Sequence, residues 1–163
     1  MTTRPLIRIF VLSSIVFLLT QHLTCFSANQ EIDIESVRDQ TANYSTDSAI
    51  VYYVSLLESL DANKKHLQFN IYSDIASLYR LKADFANALN YDLKALKTAE
   101  IISDNALLGS ANNSIGINYY RNDDFINAEK YFESGLNFRL KTEDFGAIAD
   151  SYYKLAMVFD DTG

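Results

Sequence analysis

The sequence predicts an all-α protein, an α-solenoid of stacked helix hairpins that repeat with a spacing of about 40 residues. One observation is an internal repeat, in which segment 109–141 repeats the pattern of segment 69–101. A second is that apolar residues recur at the i, i+3, i+4 spacing of amphipathic helices. A third is the scarcity of helix breakers, since one proline and five glycines favour long helices over short strands.

The internal repeat is visible when the two segments are aligned without gaps. Equivalent residues lie at one constant offset and share their chemical type, as in Ile75 and Ile115, Tyr79 and Tyr119, Phe85 and Phe125, Ala88 and Ala128. A third, partial copy places Tyr152, Leu155, Ala156 and Phe159 where the first copy has Tyr72, Ile75, Ala76 and Tyr79. Self-similarity at a fixed period of this size is typical of a solenoid.

Residues 1–27 have the pattern of a signal peptide. Arg4 and Arg8 precede an apolar run over residues 9–19, which is too short to cross a bilayer comfortably as a helix. Cleavage after Ser27 places Cys25 and Ser27 at the two small-residue positions. We therefore expect an exported protein, periplasmic or associated with the outer side of a membrane.

Two other fates of this leader remain open. Cys25 could carry a lipid, although the preceding residues 22–24 match the lipid-modification pattern poorly, and an uncleaved leader could act as an anchor. If the leader is removed behind Cys25, the mature protein has no cysteine and therefore no disulfide or thiol chemistry.

The mature region divides into two parts. Residues 28–45 are polar and form a linker or an N-terminal cap, and residues 46–163 form the helical repeats, of which the last is incomplete. The periodicity predicts helices over approximately 46–60, 66–81, 85–102, a stretch ending near 121, 125–140 and 146–160.

The charge excludes one class of partner. Two of the 14 basic residues lie in the leader, so the remaining chain has 12 basic against 21 acidic side chains. Nucleic-acid binding needs a basic surface, so we expect no nucleic-acid partner. The acidic surface is more simply explained as the solvated exterior of an exported protein than as a docking face.

The repeated residues resemble those of the tetratricopeptide repeat (TPR) family. The first copy carries the matching residues Tyr72, Ile75-Ala76, Tyr79, Phe85, Ala88 and Ala95-Leu96. In the second copy Asn112 replaces the first aromatic residue, and the matches are Ile115-Gly116, Tyr119, Phe125, Ala128 and Gly135-Leu136. The resemblance implies a right-handed superhelix, and the spacing, which exceeds that of the usual repeat of this family, implies longer helices. Gly135 stands where alanine is usual, and we expect it to loosen its helix slightly.

Residues that would support enzymatic or metal chemistry are missing from the sequence. His66 is the only histidine outside the leader, and no cysteine pair, zinc-protease motif or glycine-rich phosphate loop occurs. The acidic pair Asp123-Asp124 precedes a helix, where carboxylates cap the free amides of the first turn. We therefore expect no catalytic residue, no metal site and no cofactor.

The resemblance also implies where a protein or peptide partner would bind. In this family the first helix of each hairpin lines the concave surface, and its residues that are not used in packing contact ligands. The equivalent positions here are Asn70, Ser73, Ser77 and Arg80, then Ser110, Asn113, Ile117 and Tyr120, then Tyr153 and Met157. Asn113 falls where some members grip a peptide carboxylate, but the paired cations of such a clamp are absent.

Two functional interpretations follow. The first is a non-enzymatic scaffold outside the cytoplasm that binds a protein or peptide. The alternative is the N-terminal extracytoplasmic sensor region of a larger bacterial signalling protein, a histidine kinase or a diguanylate cyclase. In either case the incomplete last repeat would leave an exposed helix edge, through which a weak homodimer could form.

Overall fold

The computed structural model describes residues 32–163, and the leader and its Cys25 lie outside this range. The described residues form seven α-helices and no strand: α1 (Ile34–Thr41), α2 (Thr46–Ser59), α3 (Lys65–Leu81), α4 (Phe85–Ile102), α5 (Asn105–Arg121), α6 (Phe125–Arg139) and α7 (Phe145–Thr162). Consecutive helices pack against each other as in a solenoid, which confirms the all-α class. Each expected helix end lies within two residues of the observed one.

Carboxylates start most of these helices. Asp84 accepts hydrogen bonds from the backbone amide of Asn87 at 3.1 Å and from its side-chain amide at 2.7 Å. Asp124 makes the same two bonds with Asn127, one repeat later, so this residue is the helix cap expected from the sequence. The hydrogen bonds from the asparagine lower the pKa of both Asp84 and Asp124, because they stabilise the ionised carboxylate.

The segment before the repeats contains a short helix, α1, that packs on α3. Val37 is buried beneath it, and Arg38 donates two hydrogen bonds of 2.9 Å to the carboxylate of Asp74 on α3. Thr41 at the end of α1 lies 3.3 Å from the hydroxyl of Tyr53 on α2. With α2, this helix therefore forms a shortened hairpin that covers the N-terminal side of the array.

Within the two complete hairpins, α3–α4 and α5–α6, large rings pack beside small residues. Tyr79 stacks on Tyr91 with ring centres 5.6 Å apart, and Tyr119 stacks on Tyr131 at 5.4 Å. The nearby Ala88 and Ala128 are fully buried. Such aromatic pairs stabilise by about 0.5–1.5 kcal/mol beyond the burial of their area.

Helix α7 buries only one side. Ser151, Leu155 and Val158 are buried against the preceding helices, while Phe145 and Phe159 are 80% and 58% exposed. Among residues 32–163, none of the helices combines the length and the hydropathy needed to cross a membrane.

The turns inside the hairpins contain strained backbone. Ala83 and Asp123 occupy equivalent positions and have positive φ angles of 56° and 58°. This left-handed conformation costs an ordinary L-residue roughly 1–2 kcal/mol, whereas aspartate tolerates it through local hydrogen bonding and glycine adopts it freely.

We predict that Ala83→Gly raises the free energy of unfolding by about 1 kcal/mol, because the strain at this φ angle exceeds the entropic cost of the added glycine. Asp123→Gly is the matched control and should give a smaller gain. Urea unfolding followed by circular dichroism measures both. A destabilised Ala83→Gly variant would contradict the prediction.

Candidate ligand-binding groove

The inner surface of the array contains a small cleft between α5 and α7. It encloses about 190 Å³, which is below the roughly 300–1,000 Å³ of small-molecule sites and fits one or two side chains. We name it the α5–α7 groove and define it by its lining: Ile117, Tyr120, Arg121, Phe132, Asp150, Tyr153, Lys154 and Met157.

The α5–α7 groove brings together four residues selected from the sequence, Ile117, Tyr120, Tyr153 and Met157. The side chain of Tyr153 is 65% exposed, so it is free to contact a ligand. Apolar and aromatic surface with a few polar groups at its edge is the usual composition of a binding site.

The edge of the groove is polar and mostly paired. The hydroxyl of Tyr120 donates a hydrogen bond to Asp161, and this bond raises the pKa of Tyr120. Burial alone would raise the pKa of Asp150, but hydrogen bonds from Lys154 and Arg139 outweigh it and lower that pKa. Asp150 is therefore ionised at neutral pH and neutralised by its neighbours.

Arg80, another residue selected from the sequence, is engaged inside the protein. Its guanidinium donates to the carboxylate of Asp92 at 2.5 Å, and Asp92 is only 1% exposed. The side-chain amide of Asn118 donates to the same carboxylate oxygen at 2.6 Å. These three residues lie on α3, α4 and α5, so Arg80 joins three helices and does not face a partner freely.

The sequence did carry a signal for this cluster, although it was missed. The residue equivalent to Asp92 in the next repeat is Phe132, which is 2% exposed. A carboxylate at a position whose repeat equivalent is a buried ring indicates a buried ion pair.

Asn113, selected as a residue that could hold a peptide carboxylate, is also buried. Its side chain is 2% exposed and donates to the hydroxyl of Ser151 on α7 at 2.9 Å. A Cβ atom on Gly135 would lie 2.1 Å from Oδ1 of Asn113. Gly135, expected to loosen α6 slightly, is thus required for the close approach of α6 to α5.

The remaining selected residues form a small, polar part of the inner surface. Ser73 donates to the backbone carbonyl of Phe69 at 3.0 Å, and Ser77 is exposed. Asn70 and Ser110 are half-buried. The inner surface therefore changes along the array, from small polar residues on α3 to large apolar residues on α5 and α7.

Two other clefts offer less. One of about 370 Å³ lies at α1–α3, and its charged residues Arg38 and Asp74 neutralise each other. The other, of about 430 Å³, lies among α4, α5 and α6 and includes Glu100, Asn112 and Phe138. Within residues 32–163, no group of three or more potential ligands could hold a metal ion.

Comparison with known proteins locates the fold but no family. No protein-family model matches the chain, and no curated protein sequence matches it. Among solved structures, it is similar to the crystal structure of BtubC (BKLC) from P. vanneervenii, with a TM-score of 0.63 and 20% sequence identity. The similarity covers 72% of this chain and 50% of that one, so this chain spans about half the length of BtubC. It supports a helical-repeat fold and carries no information on activity.

We predict that the buried Asp92 makes stability depend on pH. Burial raises the pKa of Asp92 from 3.8 to about 6, even though Arg80 and Asn118 stabilise its charge. The folded protein therefore binds more protons than the unfolded chain between these values, and stability falls as pH rises through this window, by about 3 kcal/mol in total from this group.

Urea unfolding at a series of pH values between about 4 and 7 measures this effect against Asp92→Asn, which cannot titrate. The difference between the two proteins isolates Asp92 from the other carboxylates. Equal pH slopes in both proteins would show that Asp92 has an ordinary pKa.

Proposed function

We propose that this protein is a non-enzymatic scaffold of the TPR type, exported from the cytoplasm, that binds a protein or peptide segment in the α5–α7 groove. The helical-repeat fold supports the architecture, and the repeated residues of the α3–α4 and α5–α6 hairpins favour the TPR type. The groove supports the binding role, because it is the place where apolar inner-surface residues converge.

One observation carries the proposal, the change of residue type at positions that packing does not use. Ser77, Ile117 and Met157 are equivalent in the three copies, and the first of them is small, polar and exposed. Since α3 packs with a serine at this position, the large apolar residues at the other two are not needed to stack the helices. A ligand that covers them gains hydrophobic free energy.

The shape and chemistry of the groove favour one kind of contact. A cavity of about 190 Å³ accepts a large apolar side chain, such as leucine, methionine or phenylalanine. Tyr153 and Met157 would contact that side chain, and binding energy in such interfaces concentrates in a few aromatic and apolar anchors. The cations and carboxylates at the edge would contact the polar groups beside the anchor.

The carboxylate of the groove is poorly suited to proton transfer. Asp150 has a lowered pKa and is ion-paired with Lys154 and Arg139 at the edge of the groove. A general base works best when its pKa lies near the working pH. The pairing therefore favours a binding role over a catalytic one.

Panning a random peptide library on the purified protein tests the binding role. We predict that the selected peptides share an apolar anchor, and that Met157→Lys weakens them by at least about tenfold, because it places a charge where the anchor is buried. Ser77→Lys is the matched control at the equivalent position of α3 and should leave affinity unchanged. Titration calorimetry gives both dissociation constants, and equal losses in the two variants would place the site elsewhere.

The export part of the proposal is tested separately by the N-terminus of the secreted protein. Expression of the whole chain in a bacterial host and sequencing of the exported form should give Ala28 as the first residue, since cleavage after Ser27 leaves small residues at both recognition positions. Retention of Met1, or a lipid-modified Cys25 as the first residue, would contradict it.

A further inference from the structure

Helix α7 exposes a continuous apolar stripe that the α5–α7 groove does not use. We name it the α7 seam and define it by five residues, Phe145, Ala149, Tyr152, Ala156 and Phe159. All five are exposed, and the three rings are 80%, 54% and 58% exposed. The seam contains no charge and runs for roughly 21 Å, since a helix rises about 1.5 Å per residue.

The spacing of the seam suits another helix. Its residues alternate at intervals of four and three, which is the pattern of helices that pack along a shared seam. A continuous apolar patch of this kind on a soluble protein marks an interaction site.

The protein contains an example of how such a face is covered. On α3, Tyr72 and Tyr79 are equivalent to Tyr152 and Phe159, and both rings contact Tyr91 of the antiparallel helix α4. Phe69 of α3 lies in one cluster with Ala95 and Ala99 of α4. Rings and alanines of one helix thus pack against alanines and rings of the other.

The α7 seam has this composition on both sides of an antiparallel pair. When two α7 helices run antiparallel about a two-fold axis near Lys154, Tyr152 lies opposite Ala156 of the second copy. In the same register Ala149 lies opposite Phe159 of the second copy. Each large side chain then meets a small one, which is how helix surfaces interlock.

We propose that the α7 seam binds the α7 seam of a second copy of this protein, in the antiparallel register just described. The interface is isologous, so each seam residue serves both subunits. The register also places the acidic end of one helix, with Asp160 and Asp161, beside the amino-terminal end of the other. Carboxylates interact favourably with that end of a helix.

The buried area sets the strength of the dimer. Three aromatic side chains at these exposures bury on the order of 400 Å² per copy, since a fully buried ring covers about 150–250 Å². The total is below the roughly 1,200 Å² of a standard stable interface. The dimer is therefore weak and reversible, and it dissociates on dilution.

Sedimentation velocity of the purified protein over a concentration series tests this assembly. We expect wild type to shift from monomer to dimer, and Tyr152→Lys or Ala156→Glu to stay monomeric, because each buries an unpaired charge in the seam. Ala86→Glu changes an exposed alanine of α4 in the same way and should dimerise like wild type. Circular dichroism confirms that each variant is folded.

An equimolar mixture of the two seam variants sharpens the test. In the proposed register the introduced lysine of one variant lies opposite the introduced glutamate of the other, so the mixture should regain the dimer that neither forms alone. A wild-type protein that remains monomeric at all concentrations, seam variants that associate like wild type, or a mixture that stays monomeric would each overturn the proposal. Tyr152 and Ala156 do not line the α5–α7 groove, so peptide binding is scored independently.

Discussion

The close approach of paired helices is the constraint on which this structure depends. Tyr79 on Tyr91 and Tyr119 on Tyr131 can stack only because small residues let the helix backbones come near each other. Where a larger ring replaces a polar side chain, the opposite helix becomes smaller. A Cβ atom on Gly116 would lie 2.6 Å from the ring of Phe132, so glycine is needed there. The sequence repeat is therefore a repeat of complementary volumes.

The same constraint allows one position to hold two chemistries. In the first hairpin, Asp92 pairs with Arg80 and Asn118 in a buried polar cluster. One repeat later, Phe132 fills the equivalent volume beside apolar neighbours. A buried ion pair must be satisfied by its own partners, so Arg80 is used for this purpose. In the next repeat Tyr120 has no such duty, and its position at the groove follows from that difference.

The inner surface could be located from the sequence, but its free residues could not. Ile117, Tyr120, Tyr153 and Met157 were selected from their register and do line one groove. Arg80 and Asn113 were selected by the same rule, yet both are bound to neighbouring helices. Their partners, Asp92 and Ser151, lie 12 and 38 residues away, and only the packing of the helices brings them into contact.

The sequence by itself determined the helices, the hairpins and the faces that pack, because these depend on local propensity and on a periodicity visible in the chain. It also determined which face of α7 is apolar. The tertiary structure decided which polar residues are consumed, that Gly135 is a requirement for packing, and that the seam is uncovered within the described residues. The physical reason is distance: hydrogen bonds and steric contacts act over a few ångströms, between residues whose separation along the chain has no fixed relation to their separation in space.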